Sequence, residues 1–292
     1  MRVSSVNRIP GPLRSPAIVA AEPVAPLAPG IIGQRIRYLS DDLTVAGWLA
    51  IREDLLQRPL GSVPGLLYCR GGIRRVGAVK KEWLIRFARH GAVVFAPCYR
   101  GNEGGQGKED FGLKDREDAR AALELLRRVA LVHADKLAVY GFSRGGPLAF
   151  FCAARSDVGV RNDAGSSTLR SSPVPVVLHG GVSDLALTYA QRPDLRRMLN
   201  ALVGGTPTQT PDAYRARSPL SQCDDPELRV LLIHGLDDVQ VSPEHSRRLH
   251  ERLREVGARS AMWNLVGVGH HPHPLAFDEL TRRMYMWAGL TQ

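Results

Sequence analysis

The chain has 292 residues, which is enough for one large α/β domain with a sizeable buried core. Its hydrophobic content of 44% and its charged content of 23% are typical of a globular protein, and no apolar run approaches the length of about 20 residues that crosses a bilayer. The net charge of +10 is spread over scattered arginines that adjoin one another only in pairs. A concentrated positive field would be needed to attract phosphates, so neither a nucleic acid nor a membrane is predicted as a partner.

The first 33 residues differ in composition from the rest of the chain. Six prolines fall within the first 30 residues, with alanines between them and little periodic hydrophobicity. Such a segment buries too little surface to order itself, so residues 1–33 are predicted to be a Pro/Ala-rich arm, flexible or draped over the surface, before a single domain over residues 34–292. The arm lacks the apolar core of a signal peptide, and a cytoplasmic location is the default expectation. The four cysteines lack metal-binding spacing and are expected to be reduced thiols.

From residue 36 onward, short apolar runs alternate with amphipathic segments. The predicted strands cover residues 36–39, 43–51, 65–69, 92–96, 137–140, 174–178, 229–234 and 260–265. The predicted helices cover residues 79–89, 113–129, 147–154, 185–202, 244–256 and 275–288. The first two strands form a hairpin, and the later alternation indicates an α/β fold with a mostly parallel eight-stranded sheet and helices on both faces. Ligands bind such sheets at the carboxyl ends of the strands.

A Gly-Phe-Ser-Arg-Gly motif at residues 141–145 joins the fifth predicted strand to the next helix. Glycines on both sides of Ser143 permit a sharp turn in which a larger side chain would collide with the neighbouring strand or helix. The turn exposes the serine hydroxyl at the end of the strand, where the first amide groups of the helix point toward a bound ligand. Ser143 is therefore a candidate nucleophile.

An acid and a histidine follow the last two predicted strands. Asp237 and Asp238 come after the strand at residues 229–234, and His270 comes after the strand at residues 260–265. A serine hydroxyl needs a base to remove its proton, and the base needs an acid that holds it in one tautomer. The chain order Ser, Asp, His is that of α/β-hydrolases rather than that of trypsin-like or subtilisin-like proteases.

Five motifs carry a resemblance to a known family from about residue 35 to the end. They are Tyr-Cys-Arg-Gly-Gly at 68–72, Tyr-Arg-Gly at 99–101, Gly-Phe-Ser-Arg-Gly-Gly at 141–146, His-Gly-Leu-Asp-Asp-Val-Gln-Val-Ser-Pro at 234–243 and Gly-Val-Gly-His at 267–270. With these motifs the chain resembles an α/β-hydrolase of the prolyl oligopeptidase type, or a dienelactone-hydrolase-like esterase. The resemblance implies the α/β-hydrolase fold and a serine hydrolase that needs no cofactor.

The resemblance also assigns the chemical roles. It implies that Ser143 is the nucleophile and that His270 is the general base that later protonates the leaving group. Asp238 is implied to be the acid that orients His270, with Asp237 as the alternative. The enzyme would act in two steps through an acyl group attached to Ser143.

An oxyanion hole needs two hydrogen-bond donors aimed at the tetrahedral intermediate. One donor is expected to be the backbone amide of Arg144, directly after the nucleophile. For the second donor the resemblance points to the backbone amide of Gly72, with Ile73 as the alternative. Glycines at this position let the backbone approach a substrate closely.

Two departures from the family leave the substrate open. A short arm stands where the large peptidases carry a propeller domain, and no obvious pair of glutamates would hold a peptide amino terminus. Hydrolysis of an ester, lactone or thioester therefore stands beside peptide cleavage, and the expected partner is a small ester or a short peptide. The alternatives are an acyltransferase or cyclase on the same triad and a non-catalytic binding protein on the same fold. The sequence leaves open whether the protein forms a homo-oligomer.

The sequence also suggests roles for polar residues outside the predicted triad and oxyanion hole. His271 and His273 lack an acidic or cysteine partner and adjoin prolines, so no metal site is predicted. Residues 156–172 and 180–225 are predicted to shape the pocket. The arginines near the predicted mouth raise the hypothesis of an acidic substrate, and they are Arg70, Arg74, Arg100 and Arg144. The remaining interpretations are buried positions for His179 and His234, surface helix positions for His90, His133, His245 and His250, and helix-dipole roles for Asp115 and Asp118.

Overall fold

A computed structural model describes residues 10–154 and 173–291, and the strands in these ranges form one nine-stranded sheet. The strands are β1 (Ile18–Pro23), β2 (Ile31–Ser40), β3 (Leu43–Arg52), β4 (Val63–Cys69), β5 (Val93–Pro97), β6 (Val132–Phe142), β7 (Val176–His179), β8 (Arg229–Gly235) and β9 (Arg259–Leu265). The α-helices are α1 (Lys81–Arg89), α2 (Asp115–Arg127), α3 (Gly145–Ala153), α4 (Leu185–Gln191), α5 (Arg196–Val203), α6 (Pro211–Arg215), α7 (Glu244–Glu255) and α8 (Pro274–Ala288). None of the helices in these ranges is both long and apolar enough to cross a membrane.

The sheet combines an antiparallel part with a parallel part. Its strand order is β1-β2-β3-β5-β4-β6-β7-β8-β9. The first three pairs in this order are antiparallel, and every later pair is parallel. The carboxyl ends of β4 to β9 therefore meet at one edge. The mostly parallel sheet is confirmed, and so is the hairpin of β2 and β3, but the sheet has nine strands rather than the predicted eight.

Side chains of the central strands alternate between two apolar cores, because successive residues of a strand point to opposite faces. In β6, Leu137 and Val139 belong to one core, whereas Ala138 and Tyr140 belong to the other. Side chains of α2, α3 and α7 complete the first core, and side chains of α1 and α8 complete the second. Both faces of β4 and β5 are thus covered, which explains why their sequences are apolar throughout.

The prediction of a flexible arm is wrong for residues 10–33. Strand β1 adds to the edge of the sheet beside β2, and the side chain of Leu13 is fully buried in the first core. The carbonyl oxygens of Pro12 and Arg14 accept hydrogen bonds from the turn between α2 and β6. An edge strand tolerates prolines because only one of its sides must form ladder hydrogen bonds. Residues 1–9 lie outside the described residues.

The predicted helix over residues 185–202 is broken at Pro193. It forms α4 and α5, with a short 3-10 helix between them. Proline lacks an N–H group and disfavours helical geometry in the preceding residue, so Arg192 ends α4 with φ −122° and ψ 78°. Side chains of α4, α5 and α6 form a third apolar cluster with Phe111, which attaches this region to the loop between β5 and α2.

The substitution Leu13→Ala is expected to lower the free energy of unfolding by about 2 to 5 kcal/mol, because it leaves a cavity in the core. Leu60→Ala is the matched control, since the side chain of Leu60 is 65% exposed. Urea unfolding followed by circular dichroism measures both changes. An equally small effect of the two substitutions would contradict the packed N-terminal segment.

Candidate active site

Ser143 lies in the sharp turn between β6 and α3. Its φ angle of +55° falls in the left-handed region, which is uncommon for a residue with a side chain. A Cβ atom added at Gly141 would lie 2.5 Å from the carbonyl oxygen of Gly145, and one added at Gly145 would overlap the carbonyl oxygen of Cys69. The two glycines are therefore what permits this turn. The turn leaves Ser143 half-buried at the carboxyl end of β6.

Asp238 and His270 form a direct hydrogen bond. Nδ1 of His270 lies 2.6 Å from Oδ2 of Asp238, and both residues are buried. The other carboxylate oxygen, Oδ1, accepts hydrogen bonds from the backbone amides of Gln240 and Val241, each at 2.9 Å. Asp237 is exposed. Of the two candidate acids, Asp238 is thus the one that contacts the histidine.

A second histidine contacts the same carboxylate. Nε2 of His234 lies 3.4 Å from Oδ2 of Asp238 and 2.9 Å from the carbonyl oxygen of Val241. Its Nδ1 lies 2.6 Å from the hydroxyl oxygen of Ser246, at the start of α7. Burial alone would raise the pKa of Asp238, but hydrogen bonds from the two histidines hold that pKa well below its usual range. The carboxylate is therefore ionised at neutral pH.

Ser143 and the Asp238–His270 pair lie at the same edge of the sheet. The ring of Phe142, directly before Ser143, packs against the ring of His270 with their centroids 4.7 Å apart. The amide of Ser143 donates to the carbonyl oxygen of the last residue of β7 at 3.0 Å. Gly180 directly follows β7. A Cβ atom added at Gly180 would lie 3.2 Å from Oδ2 of Asp238 and 3.3 Å from Nδ1 of His270. The structure thus joins Asp238 to His270 and places the turn that carries Ser143 at the same edge of the sheet.

The turn after β4 lies against the nucleophile turn. A Cβ atom added at Gly71 would lie 2.9 Å from Cβ of Ser143. Gly72 has a φ angle of +66°, which a residue with a side chain rarely adopts. Within residues 10–154 and 173–291, the backbone amides of Gly72, Ile73 and Arg144 donate no hydrogen bond to the protein. The assignment of these three amides as oxyanion donors stays a prediction.

The side chain of Arg144 is buried beside this turn. Its guanidinium donates to the carbonyl oxygen of Gly72 at 2.9 Å and to Oε1 of Glu109 at 2.7 Å. It also forms an ion pair with Asp115. Arg70 contacts the same oxygen of Glu109 at 3.0 Å. The side chain of Arg144 therefore holds the turn that contains Gly72, a role that the sequence alone does not show.

Asp115 and Asp118 lie in the first turn of α2, but their roles go beyond the predicted interaction with the helix dipole. Both are fully buried, and Asp118 binds the guanidinium of Arg100 at 2.8 Å. Burial raises the pKa of Asp115, against the opposing effect of the Arg144 charge. The sequence contained a signal for this burial, because the two acids lie at helical spacing with Ala122 on the apolar face of α2.

Three of the four arginines near the predicted mouth of the pocket are not available to bind an anion. Arg70, Arg100 and Arg144 are at most 4% exposed, and each binds carboxylates of the protein itself. A guanidinium that is buried and already paired adds little attraction for a substrate anion. These three arginines therefore give the hypothesis of an acidic substrate no support. The side chain of Arg74 lies outside the described residues.

The histidines outside the candidate site are mostly structural. His179 and His234 are buried and hydrogen-bonded, as predicted, and burial lowers the pKa of His179 to about 3. The surface position predicted for His245 is wrong. This residue is 1% exposed, and its Nδ1 accepts a hydrogen bond from the backbone amide of Ser183 at 3.2 Å. The part of the chain that the structure describes contains no group of three or more His, Cys, Asp or Glu side chains that could hold a metal ion.

A cleft of about 870 Å³ lies beside the turn after β4 and is called the β4–β5 cleft below. It lies between that turn, the loop after β5 and helix α5. Its lining includes Ile73, Val76, Ala78, Glu103, Lys108 and Met198. Met198 belongs to the region 180–225, which the sequence predicted to shape the pocket. The other predicted pocket segment, 156–172, lies outside the described residues.

Comparisons with known proteins identify the family of the chain. The sequence profile of the BD-FAE family matches residues 77–253. A Bacillus subtilis (strain 168) protein named uncharacterized peptidase YtmA is 40% identical over 252 residues, which are 86% of this chain and 91% of the relative.

Solved structures show the same fold. The acylaminoacyl peptidase of Pyrococcus horikoshii superposes with a TM-score of 0.69 and 21% identity over 88% of this chain. This chain spans only 42% of the length of that peptidase. The esterase Est2 of Thermogutta terrifontis, solved with propionate bound, superposes with a TM-score of 0.64 and 20% identity over 90% of this chain and 96% of the esterase.

The fold and these relatives define the class of the protein. It is a serine hydrolase with the α/β-hydrolase fold, a fold that peptidases and esterases share. Within this class the chain belongs to the BD-FAE family, because the family profile matches more than half of it. The fold, the resemblance and the enzyme class that the sequence predicted are confirmed.

Asp238→Asn is expected to reduce the acid sensitivity of the protein. A carboxylate with a depressed pKa contributes stability above its unfolded-state pKa of about 3.9, and that stability is lost as the pH falls toward the folded-state pKa. The variant should therefore be less stable than the parent at pH 7 but should lose less stability between about pH 5 and pH 2. Unfolding at a series of pH values measures this, with Asp237→Asn as the exposed control. The same pH dependence in parent and Asp238→Asn would contradict the buried, ionised carboxylate.

Proposed function

We propose that the protein hydrolyses an ester, a thioester or a small amide bond through an acyl-enzyme on Ser143. The observation that carries this proposal is the hydrogen bond of 2.6 Å between Nδ1 of His270 and Oδ2 of Asp238 beside the nucleophile turn. Because Nδ1 is committed to the carboxylate, Nε2 is the nitrogen left to accept the serine proton. Relatives named a peptidase and an esterase support both kinds of bond as substrates. A cytoplasmic location and the lack of a nucleic-acid partner stay predictions.

In the acylation step, His270 takes the proton from Oγ of Ser143 while Oγ forms a bond to the carbonyl carbon. The negative charge that develops on the carbonyl oxygen would be stabilised by the amide of Arg144 and by an amide of the turn at residues 72–73. Each such donor typically lowers the barrier by about 2.7 to 4 kcal/mol. The intermediate then collapses, the bond to the leaving group breaks, and the leaving group takes the proton from His270.

Deacylation repeats these steps with water. His270 removes a proton from a water molecule, whose oxygen attacks the acyl carbon. The second intermediate collapses, the bond between the acyl carbon and Oγ breaks, and Ser143 recovers its proton from His270. Asp238 stays ionised throughout, and it stabilises the imidazolium that forms in each step.

Ser143→Ala is expected to lower kcat/KM for p-nitrophenyl esters by about 10⁴-fold or more, because it removes the nucleophile from a group of residues that acts as a unit. Ser221→Ala, at an exposed serine outside the site, is the matched control and should retain the parent rate. Mass mapping after treatment with a fluorophosphonate should place the label on Ser143. A label on another residue, or full activity of Ser143→Ala, would refute the proposal.

Neutral esters are expected to be hydrolysed at least as fast as matched esters whose acyl group ends in a carboxylate. The physical reason is that the three buried arginines near the site are already paired with carboxylates of the protein. Values of kcat/KM for butyrate and succinate monoesters of the same phenol measure the preference. A tenfold or greater preference for the succinate ester would show that a free cation binds the substrate.

A further inference from the structure

The β4–β5 cleft adjoins the candidate site without containing its reactive groups. Its volume lies within the range of about 300 to 1,000 Å³ that is usual for pockets that bind small ligands. None of the three predicted catalytic side chains lines it. Ile73 on its wall directly follows Gly71 and Gly72, and Gly71 lies against Ser143. A substrate carbonyl placed beside Ser143 would therefore have one substituent close to the cleft.

The loop that forms one side of the cleft has an unusual backbone. Tyr99, Glu103 and Phe111 have φ angles of 62°, 47° and 64°, although none of them is a glycine. Together with Ser143 they are four of the five such residues in the described ranges. Residues held in sparsely populated conformations cluster at active sites and at loops that hold ligands. The conformation of this loop thus points to a binding function, independently of the volume of the cleft.

Polar contacts hold the same loop in place. The guanidinium of Arg100 binds Asp118 at 2.8 Å and Asp41 at 3.0 Å. The indole N–H of Trp48 donates to the carboxylate of Glu103 at 2.9 Å. These contacts fix the cleft before any ligand binds, and a site that is formed in advance loses less conformational freedom on binding.

The lining of the cleft defines the chemistry of its occupant. Ile73, Val76, Ala78 and Met198 form an aliphatic wall, and Val76 is 85% exposed. Glu103 and Lys108 contribute one charge of each sign. The buried arginines on the lining are neutralised by the ion pairs described above. An aliphatic group without charge fits this surface, because it would cover the exposed apolar side chains.

We propose that the β4–β5 cleft is a specificity pocket that binds an uncharged aliphatic substituent of the scissile carbonyl compound. This inference rests on the proposed hydrolase function and adds the substrate class to it. The aliphatic chain belongs either to the acyl group or to the leaving alcohol, and the two sources share the same chemistry. Each methylene group that enters the cleft should raise kcat/KM about threefold to fourfold.

The test uses the full chain and two ester series. The acyl series compares p-nitrophenyl acetate with p-nitrophenyl hexanoate, and the alcohol series compares methyl butyrate with hexyl butyrate. Met198→Trp fills the cleft from α5, and Val76→Trp fills it from an exposed position that does not affect the core. Met286→Trp is the matched control, because Met286 is 57% exposed on α8 and does not line the cleft.

Both cleft variants are expected to lower the ratio of kcat/KM for the long and the short ester by about tenfold or more in one series. That series identifies which end of the substrate the cleft binds, and the control should keep the parent ratio. Ratios within about twofold of the parent in both series, with turnover retained, would overturn the inference and leave the proposed function intact. No turnover of any ester and no fluorophosphonate label on the parent would overturn the proposed function, and the inference with it.

Discussion

The candidate active site depends on one buried carboxylate. Asp238 has lost most of its contact with water, which would be costly for an ionised group without compensating partners. Two backbone amides and two histidines supply those partners and keep the group charged. Its charge fixes the hydrogen bond to Nδ1 of His270, and this bond leaves Nε2 as the nitrogen that can take a proton in the proposed mechanism. The loops after β8 and β9 are therefore held together by this charge.

Arg144 connects the turn that carries Ser143 to the turn after β4. Its position directly after Ser143 places its amide at the start of α3, and its guanidinium reaches across to the carbonyl oxygen of Gly72. Buried ion pairs with Glu109 and Asp115 keep the guanidinium in place. Such pairs add little to stability by themselves, but the loss of one partner leaves an unpaired buried charge. The two candidate oxyanion donors and one wall of the β4–β5 cleft are thus joined through a single side chain.

The sequence predicted the features that depend on local patterns. The positions of Ser143 and His270 at one edge of the sheet were predictable, because each residue follows an apolar strand and the strand ends of a parallel sheet meet at one edge. Features that depend on distant contacts were not predictable. The prolines near Leu13 indicated disorder, yet tertiary packing orders that segment as an edge strand. The role of Arg144 was equally hidden, because its partners Glu109 and Asp115 lie far away in the sequence.

The most direct test of the proposed mechanism is a crystal structure of the protein after reaction with a small fluorophosphonate. Its phosphoryl oxygen stands in for the oxyanion of the tetrahedral intermediate. The predicted result is a covalent bond from Oγ of Ser143 to phosphorus, with the phosphoryl oxygen about 3 Å from the amide of Arg144 and from an amide of the turn at 72–73. A phosphoryl oxygen that faces solvent, or an imidazole of His270 turned away from the adduct, would contradict the account.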